Sequence, residues 1–267
     1  MCFKQRLLWA GLWARLQVVL WASCLIAAFS CAVKEDRTGC PCNLVIGIRG
    51  GAPPYYLSLS QGTERVEDTL HTGSAAFERR VVRRPLRFQI YCADSSLYVP
   101  GKGLVIPPGR DCPPVWSAVR SLVAEGERQA EIVTLHKNHC RLSLVFKVEG
   151  QPAATVPFQL RIRGSIAGYD RDDKPVAGAF DYVPCPDGKG IFHIGLPRQT
   201  DASLALEIRD EDGVLRAFPL GDYIVQGGYD WAAPDLPDLP MEIDYARTQV
   251  TFRLECWEKT VERNVVI

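Results

Sequence analysis

The feature that most constrains the fold is an alternation of apolar and polar side chains near the middle of the chain. Apolar residues stand at every second position from Cys140 to Val148, and three of the four residues between them are polar. Successive side chains of a β-strand point to opposite faces of its sheet, so this period of two predicts a strand with one buried face. We expect Leu142, Leu144 and Phe146 to point into a hydrophobic core.

The same period recurs along the rest of the chain and predicts an all-β fold. Asp210–Gly213 has the composition of a hairpin turn, and only the segment from Pro114 to Gln129 could hold a helix, with poor apolar spacing. Closely spaced strands with Gly and Pro turns favour sandwiches over β-α-β units. The further alternating sets are Leu44/Ile46/Ile48, Leu86/Phe88/Ile90/Cys92, Phe158/Leu160/Ile162, Leu204/Leu206/Ile208 and Val250/Phe252/Leu254.

A turn-rich junction, Glu149-Gly150-Gln151-Pro152, divides the chain into two halves of ordinary sandwich size. We predict an N-terminal β-sandwich at residues 43–149 and a C-terminal β-sandwich at residues 150–267. Under this division the strand with Leu142 belongs to the first core, and the strand with Phe252 belongs to the second. No internal sequence repeat is strong enough to support a duplication.

The N-terminus has the pattern of an export signal, predicted at residues 1–30. Lys4, Arg6 and Arg15 are basic, no acidic residue precedes Glu35, and residues 16–29 are almost entirely apolar. Fourteen helical residues span roughly 21 Å, which is short of the ~30 Å hydrocarbon core of a membrane. A basic flank, a short apolar centre and small residues indicate a secretory signal peptide, with an uncleaved membrane anchor as the alternative.

The end of this segment resembles a loose bacterial lipobox, Ala27-Ala28-Phe29-Ser30-Cys31. In that chemistry the signal is cut before the cysteine, whose thiol and new amine are acylated. Several acyl chains give stable membrane attachment. We therefore predict Cys31 as the lipidation site and residues 31–42 as a tether, with Cys24 as a competing site and an ordinary free cysteine as the alternative.

Composition excludes some classes of function and leaves the disulfide pattern open. Residues 31–267 carry 28 basic and 31 acidic side chains, so the body lacks the excess of positive charge that nucleic-acid binding requires. An exported chain permits disulfides, but Cys140 lies within an apolar alternation, where cysteine packs as a small hydrophobe. We expect few disulfides among the ten cysteines.

The sequence contains no recognisable catalytic or metal-binding motif, so we predict no enzyme activity, no cofactor and no metal. It has no nucleophile elbow, no phosphate-binding glycine loop and no zinc-protease helix motif. His136 and His139 are three positions apart, which places them on opposite faces of one strand. A zinc site would need partners from elsewhere.

Three local clusters each have an ordinary explanation and a functional alternative. Residues 169–175 (YDRDDKP) suit a solvated loop better than a calcium site, and residues 79–84 (RRVVRR) suit an exposed strand better than a phosphate or polysaccharide patch. A set of C-terminal aromatic residues could form a sugar-stacking surface, although aromatics in β proteins usually pack in cores or on sheets. That set is Tyr223, Tyr229, Trp231, Tyr245 and Trp257.

Several motifs resemble the fimbrial anchor subunits of Bacteroidales. Residues 30–41 (SCAVKEDRTGCP) are similar to the start of those proteins, where an acidic stretch and a Cys-Pro pair follow the lipidated cysteine. Residues 133–139 (VTLHKNH) resemble a segment near the end of their first domain. The C-terminal half matches in order through PLGDYI at 219–224, GYDW at 228–231, DLPD at 235–238, EIDY at 242–245 and WE at 257–258.

This resemblance implies an outer-membrane lipoprotein that holds the base of a fimbrium at the cell surface and binds a fimbrillin-like stalk subunit. It also implies two tandem transthyretin-like Greek-key β-sandwiches and assembly by donor-strand exchange, in which a strand of one subunit completes the sheet of another. Backbone hydrogen bonds along a sheet edge supply the affinity of such an exchange. A fimbrial tip or adhesin subunit, and a glycan-binding surface lipoprotein, are the alternatives.

The last residues of the sequence suggest where a stalk subunit would bind. Val265, Val266 and Ile267 are β-branched and apolar, so they favour a sheet edge. They either complete this protein's own second sandwich or are donated to the stalk subunit. A subunit that is lipidated at its N-terminus cannot free a groove by cleavage there without losing its membrane attachment, which argues for donation.

Overall fold

The computed structural model describes residues 39–71, 75–99, 101–153, 156, 158–210, 213–244, 249–256 and 259–266. The first ten strands are β1 (Pro41–Arg49), β2 (Tyr55–Gln61), β3 (Glu64–His71), β4 (Ala76–Val82), β5 (Pro85–Cys92), β6 (Tyr98–Val99), β7 (Gly103–Val105), β8 (Trp116–Val123), β9 (Arg128–Thr134) and β10 (His136–Lys137). A single 3₁₀ turn, Ser95–Leu97, precedes β6 in this described part.

Ten further strands and a short helix follow in the described residues of the C-terminal half. They are β11 (His139–Val148), β12 (Gln151–Pro152), β13 (Gln159–Tyr169), β14 (Pro175–Tyr182), β15 (Ile191–Pro197), β16 (Ala205–Asp210), β17 (Gly213–Phe218), α1 (Leu220–Gln226), β18 (Leu239–Asp244), β19 (Gln249–Cys256) and β20 (Lys259–Val266). The predicted all-β fold is confirmed, and the segment from Pro114 to Gln129 forms β8 and the start of β9 instead of a helix.

The strands form two β-sandwiches, each with its own hydrophobic core. In the first, the sheet β4-β1-β9 faces the sheet β10-β8-β5-β2-β3. In the second, β11 lies between β15 and β18, and β19 and β20 extend the sheet beyond β18. The opposing sheet of the second sandwich runs β17-β16-β13, with β14 on the other side of β13 and β7-β6 at its end.

The two sandwiches repeat one topology that the sequence does not reveal. In the first, β1 pairs antiparallel with β4 and parallel with β9, while β3, β2, β5 and β8 are successive antiparallel neighbours. In the second, β11 pairs antiparallel with β15 and parallel with β18, while β14, β13, β16 and β17 take the other four places. The hairpin β19–β20 is therefore an addition to the repeated unit.

The alternating strand that was predicted to lie in the first sandwich belongs to the second. Leu142, Leu144 and Phe146 are fully buried, as expected, but they pack in one core with Leu160 and Ile162. The reason is the pairing of β11, because both of its long neighbours, β15 and β18, come from the C-terminal half. Residues 139–149 are thus placed with the second core, and the junction between the cores precedes His139.

The segment between β5 and β8 also links the two cores. After β5 the chain leaves the first sandwich, and residues 97–115 contribute Leu97, Leu104, Ile106 and Val115 to the second core before β8 returns to the first. Tyr91 on β5 also packs in the second core, while its strand neighbours Phe88 and Ile90 pack in the first. The outer face of the β5 sheet is therefore part of the contact between the sandwiches.

Candidate functional site

The N-terminal strand β1 fills the central place of the smaller sheet of the first sandwich. Its backbone pairs with β4 from Pro41 to Gly47 and with β9 from Asn43 to Arg49. Side chains of Cys42, Leu44, Ile46 and Ile48 alternate into the core and are at most 8% exposed. This strand is held on both edges and on one face, so it is an integral part of the first sandwich.

The predicted lipidation site, Cys31, lies outside the described residues. The described part of the chain begins at Gly39, and Gly39, Cys40 and Pro41 are exposed. The sequence between Cys31 and Pro41 is charged, with Lys34, Glu35, Asp36 and Arg37. Nine residues, 32–40, separate the predicted acylated position from the first strand.

The predicted partner-binding residues lie at the end of the extended sheet of the second sandwich. The backbones of Val265 and Val266 belong to β20 and pair with Val250 and Gln249 of β19, while Ile267 is outside the described residues. For β19 and β20 only the backbone is described. Among the described residues, β20 pairs with no strand other than β19, so its outer edge is the end of this sheet.

A second sheet edge is found in the first sandwich at β9. Among the described strands, β9 pairs only with β1, and Ile132 on β9 is 61% exposed. By the repeated topology β9 corresponds to β18, whose matching edge is covered by β19. The chain therefore covers this edge in its second sandwich and leaves the described edge of β9 without such a hairpin.

The acidic loop between β13 and β14, expected to be solvated, is instead packed against the first sandwich. Asp172 forms an ion pair of 2.5 Å with Arg87, and the Arg171 guanidinium donates to Ser58 Oγ at 3.2 Å. The backbone carbonyl of Asp170 accepts hydrogen bonds from Gln89 Nε2 and the Tyr91 hydroxyl. We call residues 170–174 the interdomain loop, because it joins the second sandwich to β2, β5 and β8 of the first.

At the centre of the interdomain loop, Asp173 accepts two hydrogen bonds from the first half of the chain. Ser117 Oγ donates to one carboxylate oxygen at 2.6 Å, and Asn138 Nδ2 donates to the other at 2.9 Å. Burial raises the pKa of Asp173 to about 6, and the two hydrogen bonds offset only part of that effect. The carboxylate is thus an ionisable group at the contact between the sandwiches.

Arg198, directly after β15, connects this cluster to the segment after α1. Its guanidinium donates to Asn138 Oδ1 at 2.9 Å and to the backbone carbonyls of Trp231, Ala233 and Pro234. Its backbone N–H donates to the Tyr169 hydroxyl at 2.7 Å. The sequence analysis did not find Arg198, because all of these partners are at least 29 positions away in sequence and no local motif marks the residue.

The side chains of His136, His139 and His193 each contact a hydrogen-bond or ion-pair partner among the described residues. His139 is buried, its Nδ1 lies 3.0 Å from the Val115 amide nitrogen, and burial lowers the pKa of its imidazole. His136 lies on β10 with Nδ1 at 3.4 Å from Asp235, and His193 contacts Asp187 at 3.4 Å. The described part of the chain contains no group of three or more His, Cys, Asp or Glu side chains placed to hold a metal ion.

The six described cysteines with placed side chains are free thiols, four of them buried. Burial raises the pKa of Cys140 to about 12, which keeps this thiol protonated within the second core, as its alternating position predicted. In the basic cluster at 79–84, Arg79 and Arg80 are exposed on β4, in agreement with an exposed strand. No helix of the described residues has the length and the apolar run required to cross a membrane.

Of the candidate sugar-stacking aromatics, Tyr223 lies on α1, and Tyr229 and Trp231 lie in the segment after it. Tyr229 is buried, while Tyr223 and Trp231 are partly buried. The rings of Tyr229 and Trp231 meet edge to face with centroids 4.7 Å apart, and the Tyr229 hydroxyl donates to the Pro237 carbonyl. Tyr245 and Trp257 lie outside the described residues.

These features define an all-β protein of two interleaved sandwiches whose N-terminal strand completes its own sheet. Three solved structures have a similar fold. The first is a DUF1812 protein of Bacteroides thetaiotaomicron, for which polysaccharide binding has been suggested (TM-score 0.62, 11% identity, 84% of this chain and 98% of that chain). The second is a proposed adhesin from Bacteroides ovatus (TM-score 0.59, 9% identity, 84% and 96%).

The third is the fimbrial anchor protein Mfa2 from Porphyromonas gingivalis, with a TM-score of 0.60 and 9% identity over 80% of this chain and 97% of that chain. Identities this low show a shared fold. The sequence itself matches no family model and no curated protein. The solved structures therefore support the predicted two-sandwich fold, and function has to be argued from the residues of this chain.

Proposed function

We propose that this chain is a lipoprotein of the outer membrane that anchors the base of a fimbrium to the cell surface. Acylation of Cys31 would supply the membrane attachment, and a stalk subunit would bind along a sheet edge of the second sandwich. The observation that carries the proposal is the position of β1. Because this strand fills the centre of its own sheet, the first sandwich is complete while the tether ahead of β1 remains attached to it, and the tether can therefore attach the protein to the membrane.

A subunit in the middle of a strand-exchange polymer must receive a strand as well as give one. Here the place between β4 and β9 is occupied by the chain's own β1, with Leu44 and Ile46 fully buried. A subunit at the base of the fimbrium needs only to donate a strand. Several strands have one neighbouring strand among the described residues, and of these β20 carries Val265 and Val266, the residues predicted to bind the stalk subunit, so we assign the donating role to its backbone.

The first experiment tests the lipid attachment. Replacing Cys31→Ala should release the protein from membranes and leave the fold unchanged, because Cys31 precedes the first strand by ten residues. The matched control is Cys24→Ala, which should remain in the membrane fraction after an alkaline wash. Retention of the Cys31→Ala protein in that fraction would overturn lipidation at this site and favour an uncleaved signal anchor.

The second experiment tests strand donation by residues 263–267. Deleting them should abolish retention of fimbriae on cells, while the shortened lipoprotein remains folded and membrane-bound. Normal retention of fimbriae, or global unfolding of the shortened protein, would favour a strand that only completes this chain's own sheet.

A tip or adhesin subunit is the second candidate, supported by the fold shared with the proposed adhesin of Bacteroides ovatus. Mass spectrometry of the mature N-terminus separates the two candidates. An acylated Cys31 as the first residue supports the anchor, whereas an unacylated mature N-terminus supports the adhesin.

A further inference from the structure

A cavity of about 560 Å³ lies between β11, β15 and the segment that leads into β8. This volume is within the range of about 300–1,000 Å³ that is typical of small-molecule sites in proteins. The rings of Pro114 and Trp116 form an apolar part of the lining. The charged and imidazole side chains of the lining are Asp111, Lys137, His139, Arg141, His193 and Asp238.

The hydrogen bonds around His139 fix which of its ring nitrogens carries the hydrogen. Val115 is fully buried, and its N–H has His139 Nδ1, at 3.0 Å, as its only acceptor among the described residues. The Val115 carbonyl already accepts from the Asn138 N–H at 2.9 Å. Buried N–H groups are nearly always paired, so Nδ1 is the acceptor and the neutral ring carries its hydrogen on Nε2. Burial lowers the pKa of this imidazole, which keeps it neutral at pH 7.

Three donors in the lining have no acceptor among the described residues. They are the Nε2–H of His139, the Nε1–H of Trp116 and the guanidinium of Arg141, and none of them is sealed from solvent, although His139 is only 8% exposed. His139 and Arg141 are two positions apart on β11, so their side chains share one face of the sheet. The Trp116 ring meets the His139 ring edge to face with centroids 6.3 Å apart. The three donors therefore belong to one wall of the cavity.

The charges of this wall restrict the chemistry of a ligand. Near the His139 ring, Lys137, Arg141 and Asp238 sum to one positive charge. Asp238 already accepts from the Lys137 ammonium at 2.6 Å, which leaves Arg141 as the cation of the lining without a carboxylate partner in the described part of the chain. A ligand that matches this wall supplies acceptors and a single negative charge, as a carboxylate does. A doubly charged phosphate would exceed the local positive charge and be repelled by Asp111.

We propose that this cavity binds a sugar acid, with its carboxylate on the Arg141 guanidinium. A guanidinium pairs with a carboxylate through two parallel hydrogen bonds. The hydroxyl and ring oxygens of the same sugar can accept from His139 Nε2–H and Trp116 Nε1–H, whereas an aliphatic carboxylate has no further acceptors for these donors. The C–H face of a pyranose ring is apolar and suits the rings of Pro114 and Trp116.

The experiment is calorimetric titration of the full chain at pH 7.5 with galacturonate and glucuronate trisaccharides, and with their methyl esters as matched neutral controls. We expect saturable binding of at least one acidic trisaccharide, and binding of its ester at least about tenfold weaker. No saturable binding of either acid, or equal binding of the ester, would overturn the proposal. Binding of N-acetylalanine as tight as that of the trisaccharide would overturn the assignment to a sugar.

Arg141→Gln tests the carboxylate contact directly. The Arg141 side chain is exposed and has no partner in the described part of the chain, so the melting temperature should not change. The affinity for the acidic trisaccharide should fall at least about tenfold. Arg120→Gln on β8 makes the same change at an exposed arginine outside the lining, and it should bind as the parent does. Parental affinity of the Arg141→Gln protein would overturn the proposal.

Nitrogen-15 NMR of the histidine rings tests the site without a substitution. His139 should carry its hydrogen on Nε2 before the titration, and the Nε2 resonance should shift in proportion to the bound trisaccharide. The ring of His136 lies outside the lining and is the internal control. Saturable binding that leaves the His139 resonances unchanged would place the sugar elsewhere and overturn the proposal. The outcome is independent of the anchoring role, since neither variant alters Cys31 or β20.

Discussion

Replacing Asp173→Asn should stabilise the protein at neutral pH, although it removes a hydrogen-bonded charge. The side chain lies at the contact between the sandwiches, where burial raises the pKa of its carboxyl from 3.8 to about 6. Burial therefore penalises the ionised form by more than Ser117 and Asn138 recover. Asparagine carries no charge and tolerates the left-handed backbone of this position, where φ is 63°.

The size of the effect follows from the two pKa values. The difference between 3.8 and about 6 corresponds to roughly 3 kcal/mol of lost stability when the carboxylate is ionised, at 1.36 kcal/mol per pKa unit. Asparagine keeps an acceptor for Ser117, but its NH₂ group cannot accept from Asn138, which costs about 1 kcal/mol. We expect a net gain of about 1–2 kcal/mol in the free energy of unfolding at pH 7.5.

The pH dependence gives a sharper test. The folded-state pKa of Asp173 is raised, so the folded protein binds more protons than the unfolded chain between pH 4 and 6, and this group makes the parent more stable as the pH falls through 6. The pKa of His139 is lowered, which acts in the opposite direction below pH 6.5, but His139 is present in both proteins. The gain from Asp173→Asn should therefore be largest at pH 7.5 and disappear near pH 5.

Urea unfolding at pH 5.0 and 7.5, followed by tryptophan fluorescence, measures both quantities. Asp172→Asn is the matched control, because its ion pair with Arg87 is exposed and should contribute less than about 1 kcal/mol at either pH. A variant Asp173→Asn that is less stable than the parent at pH 7.5, or equally shifted at both pH values, would refute this account of the interdomain loop.

Two further predictions concern packing. Ile46→Ala on β1 should lower the free energy of unfolding by about 2–5 kcal/mol. Val45→Ala, on the outer face of the same strand, is the control and should lower it by less than about 1 kcal/mol. Equal losses for the two variants in urea unfolding would contradict the assignment of faces. Gly195→Ala would place a methyl group directly on the Cys112 carbonyl oxygen, so β15 and the segment around Cys112 must separate. We expect a loss of at least about 1–3 kcal/mol, and an unchanged melting temperature would show that the two segments are not in close contact.

The faces of the strands could be predicted from the sequence, but their partners could not. Leu44, Leu86, Leu142 and Leu206 are all buried, as the alternation in each strand predicts. Alternation is a property of one strand and contains no information about which strand lies beside it. The placement of β11 with the second core depends on β15 and β18, which follow it by about 50 and 100 residues.

The short helix and the repeated strand topology also could not be predicted from the apolar pattern of the sequence. Helix α1 spans only Leu220–Gln226, and its buried Leu220 and Ile224 form a single i, i+4 pair. One such pair does not establish a helical repeat, so the sequence of this segment cannot be distinguished from that of a loop. The two sandwiches share strand order without visible sequence similarity, because many apolar side chains can fill the same topology.

The same holds for the candidate sites: the charge of a segment could be read from the sequence, but its tertiary contacts could not. The acidic residues at 169–175 were noticed for their charge, but the contacts of Asp173 with Ser117 and Asn138 cross 56 and 35 positions of sequence. A solvated loop was the reasonable expectation for a sequence with that many charges. Tertiary contacts made it an interdomain loop, and no local signal in the sequence identifies such contacts.

The pairing of β1 has a mechanical consequence. A force applied along β1 would load its hydrogen bonds to β4 and to β9 together, instead of opening them one after another. Resistance to force is governed by the rate of unfolding. A strand held in shear on both edges, with four side chains inserted in the core, resists extraction by such a force.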